Sequence, residues 1–283
     1  MHIGASMFFT DYAMPAQEIG PALEQRGFES VWAPEHSHIP LSRRSPWPGG
    51  AELPKMYYDA MDPFVTLATI AAVTRTLKVG TGVCLVIQRD TIQTAKLVAS
   101  LDQVSAGRFL FGIGGGWNVE EMEDHGTDFK TRFKRMREQV EAMREIWTKS
   151  KPEYHGEIVD FPPMMTWPKP VQNPLPIIVG GAFPHAARRA VRYGNGWIPI
   201  AGRPIYGNFE DYFPKYQEML AEAGRTLADA PISMFGAAAD YDQLMRYKEL
   251  GVARVVAGLP PEGADKVEPL LDKWAELIRR VNG

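Results

Sequence analysis

The sequence predicts an α/β chain folded as a closed (β/α)8 barrel of the TIM-barrel type. Three observations carry that prediction. Short apolar runs alternate with longer amphipathic stretches, the pattern that builds parallel sheets from βαβ units. Eight such pairs can be counted, whereas an open doubly wound sheet usually has about five or six strands. No linker divides the 283 residues, so they are expected to form one domain.

In chain order, strands are expected near residues 3–9, 29–33, 77–85, 108–113, 176–179, 196–199, 232–237 and 253–257. Helices are expected near 15–26, 62–74, 91–104, 133–147, 185–193, 209–223, 240–250 and 266–281. The last helix is the clearest, because Val267, Leu270, Leu271, Trp274, Leu277, Ile278 and Val281 share one face at helical spacing. Asp62-Pro63 supplies a cap followed by proline at the first helical position, and Gly27, Gly194, Gly224 and Gly251 fall where helices should stop. Two stretches exceed simple connections: 40–58, rich in proline, glycine and aromatics, and 154–174, with five prolines and Trp167. Read as insertions after the second and fourth strands, both would reach over the C-terminal mouth, where barrel active sites lie.

Composition narrows the function. With 45% hydrophobic and 23% charged residues the chain is an ordinary globular mixture, and its net charge of -3 offers no excess of cations for a phosphate backbone. Nucleic acid is therefore not an expected partner. No apolar run approaches the roughly 18 residues of a spanning helix, and the opening MHIGASMFF reads as a strand without a secretory n-region. The lone Cys84 permits no internal disulfide and no cysteine-cluster zinc site; it is read as a small core residue. A soluble, cytoplasmic protein acting on a small molecule is the expectation.

Three constellations could carry chemistry. The run Gly112-Ile113-Gly114-Gly115-Gly116-Trp117 ends the fourth strand, where missing Cβ atoms let a ligand approach the backbone. It fails the GxGxxG spacing, since Trp117 stands where a glycine is required. Gly180-Gly181-Ala182-Phe183 ends the fifth strand just before a helix, a geometry suited to a phosphate, with Arg188, Arg189 and Arg192 nearby. Glu35-His36-Ser37-His38 follows the second strand. An H-x-H there could hold a metal, but the eighth strand ends in Val255-Val256-Ala257-Gly258 without the carboxylate such a site needs. A histidine can instead exchange protons with a bound ring, its protonation set by the adjacent carboxylate. No metal is assigned.

Taken together, these blocks resemble the luciferase-like monooxygenase superfamily, in particular its coenzyme F420-dependent oxidoreductases. The likeness runs through Gly27-Phe28-Glu29-Ser30-Val31-Trp32 with Glu35-His36, Leu77 to Val83, Ala95 to Asp102, Ser105 to Trp117, Phe129 to Arg132, Pro168-Lys169-Pro170, Val179-Gly180-Gly181 and Gly194-Asn195-Gly196-Trp197. The resemblance implies a hydride exchanged between the deazaflavin C5 and a small organic substrate, with His36 at the cofactor and Glu35 as its support. It implies a non-prolyl cis peptide at Gly82-Val83 against the ring, Gly115, Gly116 and Trp117 along the cofactor cleft, and Gly180, Gly181, Ala182 and Phe183 at the phosphate-bearing tail. Trp117 stands where some relatives carry a catalytic glutamate, and Pro40 where sugar-phosphate dehydrogenase relatives carry a tryptophan. Trp47, Tyr57 and Tyr58 are expected to line the substrate pocket, and a homodimer is expected from the resemblance. FMN with oxygen on the same barrel is the alternative; a metal-dependent hydrolase and a non-catalytic cofactor carrier are less favoured.

Overall fold

The structure is a computed structural model that describes residues 1–50, 52–202 and 207–283. Ten strands are present among these residues: β1 (His2–Ser6), β2 (Ser30–Ala33), β3 (Lys78–Thr81), β4 (Phe109–Ile113), β5 (Tyr154–His155), β6 (Asp160–Phe161), β7 (Ile177–Gly180), β8 (Trp197–Ile198), β9 (Ser233–Ala237) and β10 (Arg254–Gly258). Strands β5 and β6 form a small antiparallel hairpin outside the barrel. The other eight are all parallel, in the spatial order β8-β7-β4-β3-β2-β1-β10-β9. Bridges pairing Trp197 with Ile232 and Ile200 with Phe235 join the two ends, so the sheet closes on itself. Closure leaves no open edge.

The helices are α1 (Ala16–Gln25), α2 (Pro63–Val73), α3 (Thr91–Val104), α4 (Val119–Asp124), α5 (Arg132–Thr148), α6 (His185–Tyr193), α7 (Phe209–Glu222), α8 (Tyr241–Glu249) and α9 (Ala264–Asn282). Local chemistry sets their starts. Asp62 accepts from the Phe64 and Val65 amides ahead of α2, and Asp90 and Asp240 cap α3 and α8 in the same way. On α9, Val267, Leu271, Trp274, Leu277 and Val281 are buried while Leu270 lies at the edge, 38% exposed. None of the described helices is long and apolar enough to cross a membrane.

Inside the barrel, Trp32, Leu110, Ile178, Ile198, Phe235 and Val256 form the central plug. Trp32 is the largest, and its indole donates to Ser30 Oγ at 2.9 Å. Room for it comes from the neighbouring strand, because a Cβ at Gly80 would lie 2.6 Å from the Trp32 ring. The N-terminal end is sealed by Arg254, whose guanidinium makes a two-pronged contact of 2.6 and 2.7 Å with Glu29 and donates to Ser233 at 3.0 Å. Burial opposes ionisation of Glu29, but the bonds and charges of Arg254 and Lys78 outweigh it and hold its pKa down at about 2.

One expectation about the insertions is corrected here. The 154–174 segment follows helix α5 rather than a strand, so it starts from the N-terminal end of the barrel and does not roof the mouth. Its hairpin lies along α5, where Glu138 accepts from the Ile158 and Val159 amides. The stretch beyond it is tied low on α3 and β4: Gln103 donates to the Lys169 carbonyl, and Gln172 to Asp102 and the Phe109 carbonyl. The 40–58 segment does follow β2; residue 51 within it lies outside the described residues.

Candidate cofactor cleft and active site

Three strand ends meet at the C-terminal mouth. After β3 the Gly82–Val83 peptide is cis. The chain there is wedged between its neighbours, with Gly82 N–H donating to the Ala33 carbonyl and Cys84 N–H to the Gly112 carbonyl, both at 2.8 Å. The Val83 side chain then lies between two glycines. A Cβ at Gly180 would fall 2.7 Å from Val83 Cγ1, and one at Gly114 would come closer still to Cγ2. These missing side chains bring the ends of β3, β4 and β7 together as one apolar floor.

The rest of the glycine run turns outward along this floor. Gly115 faces Phe133, and Gly116 adopts a φ of +61° beside Met122, a conformation that disfavours any side chain. At the end of β7, Gly181 has a φ of +130° and its carbonyl accepts from the Trp197 indole at 2.9 Å. Ala182 is half-buried in the same turn. Phe183 departs from its expected place. Its ring stacks on Tyr212, centroids 5.2 Å apart and planes 10° off parallel, so the side chain packs toward α7 and only its backbone belongs to the turn.

Cationic groups flank this turn. Arg132 and Arg189 lie 4.1 and 3.8 Å from the Phe133 ring centroid, and the Arg189 guanidinium is 3.9 Å from where a Gly181 Cβ would stand. Both Nε atoms are buried without a hydrogen-bond partner among the described residues, while Arg132 Nη1 donates to the Phe129 carbonyl. Burial lowers the pKa of Arg189, and burial together with Arg189 lowers that of Arg132, because neither has a carboxylate nearby. An unpaired buried cation is costly, and a bound anion would relieve it. Arg188 and Arg192 face solvent.

His36 emerges from β2 into this mouth. Its Nδ1 is 2.8 Å from Glu121 Oε2, and the two side chains are only 7% and 1% exposed. Glu121 also accepts from the Ser37 amide at 3.1 Å. Among the described residues Nε2 of His36 has no protein partner, so it is the atom available to a ligand. The expectation that Glu35 supports His36 is corrected. Glu35 turns the other way, accepting from Leu85 N–H at 2.7 Å and Arg89 Nε at 2.6 Å, while Arg89 also reaches Asp62 at 2.7 Å. Its carboxylate thus anchors the chain beyond the cis peptide. Cys84 is fully buried there and its thiol is pushed up by burial and by Glu35, as suits a core residue.

Glu121 escaped the sequence reading because α4 itself did. The six residues of α4 follow the glycine run directly, and their signal was the spacing Asn118-x-x-Glu121, with Asn118 Oδ1 accepting from the Glu121 amide. The preceding residue has a separate task. Glu120 is buried and accepts from the Ser42 hydroxyl at 3.0 Å, the Arg44 and Ser45 amides, and the Ser45 hydroxyl. Burial opposes its charge, yet these bonds from Ser45 and Ser42 prevail and hold its pKa down at about 2. Glu120 therefore fastens the 40–58 segment over the mouth.

Aromatic rings brought in by that segment complete the site. Tyr57 is buried, with its ring 5.4 Å from His36, 5.6 Å from Trp47, 6.4 Å from Trp117 and 4.7 Å from Phe8. Trp117 stands edge-on to His36 at 5.7 Å. Tyr58, expected in the pocket, is 54% exposed and is not part of this aromatic group. Among the described residues no cluster of His, Cys, Asp or Glu side chains is arranged to hold a metal ion.

The comparisons with known proteins agree with this geometry. The model of the family described as luciferase-like monooxygenase matches residues 11–247. An uncharacterised protein of Mycobacterium tuberculosis is 36% identical, over 98% of this chain and 99% of its own length. The F420-dependent glucose-6-phosphate dehydrogenase of Amycolatopsis mediterranei is 25% identical, over 79% of this chain and 66% of its own. In fold, the chain superposes on the coenzyme F420 dependent tetrahydromethanopterin reductase of Methanopyrus kandleri with a TM-score of 0.73 at 18% identity, covering 99% and 100% of the two chains. With its family's barrel and a mouth built from His36, Val83 and two glycine turns, the chain belongs to the luciferase-like monooxygenase family and is an oxidoreductase.

Proposed function

We propose that this chain is an F420-dependent oxidoreductase that exchanges a hydride between the deazaflavin C5 and a small organic substrate. The carrying observation is Arg189 at the Gly181 turn, whose buried Nε has no hydrogen-bond partner among the described residues, with Arg132 beside it, next to the apolar floor that Val83 forms between Gly114 and Gly180. The residues present fit such a group. The apolar floor would take a flat tricyclic ring, the turn would receive its phosphate, and the two guanidiniums would favour an acidic tail. A relative that uses F420, 25% identical to this chain, supports the same choice over FMN.

When bound, the deazaflavin supplies a ring carbon that gives or takes hydride. The chain's own share is placement and proton handling. Val83 would support the ring from below. His36 would present Nε2 to the ring or substrate while Glu121 holds its Nδ1. Tyr57, Trp47 and Trp117 would enclose an apolar or planar substrate, and Glu120 would keep the covering segment shut against water. The partners we propose are that small molecule and a second copy of the chain. The exposed apolar residues Val65 and Val73 of α2, Leu97 and Val104 of α3, and the adjoining Met165 and Trp167 form the face we assign to a homodimer. A single buried, unpaired Cys84 suits a reducing compartment such as the cytoplasm.

Titration of Arg189→Ala with whole F420 and with its tail-free deazaflavin ring tests the reading. Whole F420 should bind roughly tenfold or more weakly than to the parent chain, a loss equivalent to one charge-assisted hydrogen bond. The ring alone should bind both proteins alike. Equal binding of whole F420 by both would contradict the assignment.

A further inference from the structure

We propose that the His36–Glu121 pair exchanges its proton with solvent through a dedicated side path, Ser37 to His38 and His125, and not through the substrate mouth. The inference rests on the proposed function, in which a hydride leaves or enters beneath a covered site and a proton must be released or supplied with it. Glu121 is where the path begins. Its Oε2 is bonded to His36, and its Oε1 faces Ser37, 3.1 Å from the amide and 3.5 Å from the hydroxyl. Ser37 Oγ is 2.7 Å from His125 Nε2 and 2.9 Å from His38 Nδ1, and His38 Nε2 is 2.9 Å from Asp124.

The path leaves the buried pair directly at Ser37, which is exposed, as is His125, while His38 is half-exposed. The His36 and Glu121 side chains are 7% and 1% exposed, whereas those of His38 and Asp124 are 40% and 59% exposed. Tyr57 and Trp117 pack against His36 as well. At the outer end the charges are Asp124, Glu123 and Arg44, the last paired with Glu123. Both outer groups are imidazoles, each with two ring nitrogens that can carry a proton. His36 and Ser37 meet at the Glu121 carboxylate, and His38 and His125 meet at the Ser37 hydroxyl, so one carboxylate and one hydroxyl join the three histidines.

The transfer moves one proton and no electrons. The Nδ1–H bond of a protonated His36 breaks as an O–H bond forms on Glu121. The Glu121 carboxyl turns about its Cγ–Cδ bond so that the protonated oxygen faces Ser37, and gives that proton to Ser37 Oγ, which passes its own to His38 Nδ1 or His125 Nε2. The resulting imidazolium releases one proton to water, and the reverse sequence reloads His36.

The test uses the cofactor-free full chain with 15N-labelled histidine. NMR would follow exchange of the His36 Nδ1 proton with water in the parent and in the His38→Gln/His125→Gln variant, whose changes are confined to half-exposed or exposed side chains. Exchange should slow by about fivefold or more, and added imidazole buffer should restore it, while the His36 15N shifts stay unchanged. Slowing by less than that, or a rate change accompanied by altered His36 shifts, would overturn the relay. Ser37→Ala should give the same slowing in a chain that keeps both outer histidines. Because no cofactor is present, the result stands apart from the function assignment, which fails separately if F420 does not bind.

Discussion

Glu121 Oε2 lies 2.8 Å from His36 Nδ1, across 85 residues of chain, and both groups are shielded from solvent at the mouth of the barrel. The sequence neighbour of His36, Glu35, faces Arg89 and the Leu85 amide. Two adjacent residues of β2's exit thus point different ways, His36 to Glu121 in the mouth and Glu35 to the chain beyond β3.

That division predicts opposite phenotypes for two conservative changes. Glu121→Gln keeps the shape but loses the proton-accepting charge, so turnover should fall roughly 10- to 100-fold with little change in F420 affinity. Glu35→Gln leaves Arg89 with a weaker partner and should instead lower stability by about 2–4 kcal/mol. Steady-state kinetics and urea unfolding of the two variants check this; matching effects of both on turnover would contradict it.

Glu120 gives a pH dependence. Its pKa is lowered from the usual 4.5 to about 2 in the folded chain. A depressed carboxylate contributes stability that is full above the unfolded pKa and lost as pH falls toward the folded one. At pH 7 the Glu120→Gln variant should therefore be less stable by roughly 1.5–3 kcal/mol, the worth of hydrogen bonds to a charged group. The gap should shrink between about pH 4.5 and pH 2. Denaturant melts across that range, with Trp47 fluorescence reporting the covering segment, measure it.

The floor makes a packing prediction. Gly180→Ala places a methyl group 2.7 Å from Val83 Cγ1 and should cost about 1–3 kcal/mol while weakening cofactor binding. Val83→Ala made together with it should recover much of the stability, because the two changes share one space. A double-mutant cycle showing simple additivity would contradict the contact.

At the opposite end of the barrel, Glu29→Gln should destabilise the chain by about 3 kcal/mol through the exposed deficit at Arg254. F420 affinity should not change, since this pair closes the N-terminal end and touches no residue of the mouth. Parallel thermal melts and cofactor titrations separate the two effects.

The barrel was legible because its causes are local and repeated: short continuous apolar runs, caps such as Asp62-Pro63, and glycines where helices end. The glycine turns at Gly114 and Gly180 could be read as places needing room, although the side chain that fills that room, Val83, is visible only once strands β3, β4 and β7 are neighbours. Glu121 was hidden for a different reason. A six-residue helix gives too short a pattern for periodicity, and proximity in sequence favoured Glu35. The 154–174 segment was misplaced because its prolines announce an insertion without saying which end of the barrel it leaves from. Phe183 and Tyr58 show the same gap between residue type and direction: an aromatic residue near a site turns toward whichever apolar surface it finds first, which for Phe183 is Tyr212.

The identity of the ring that the mouth binds decides between these chemistries. Fluorescence titration of the purified chain with F420 and with FMN, side by side, addresses it most directly. Saturable binding of F420, lost in His36→Ala and Gly180→Val variants that still fold, is the predicted result. Saturable binding of FMN with none of F420 would contradict it and make a flavin oxygenase the better description of this barrel.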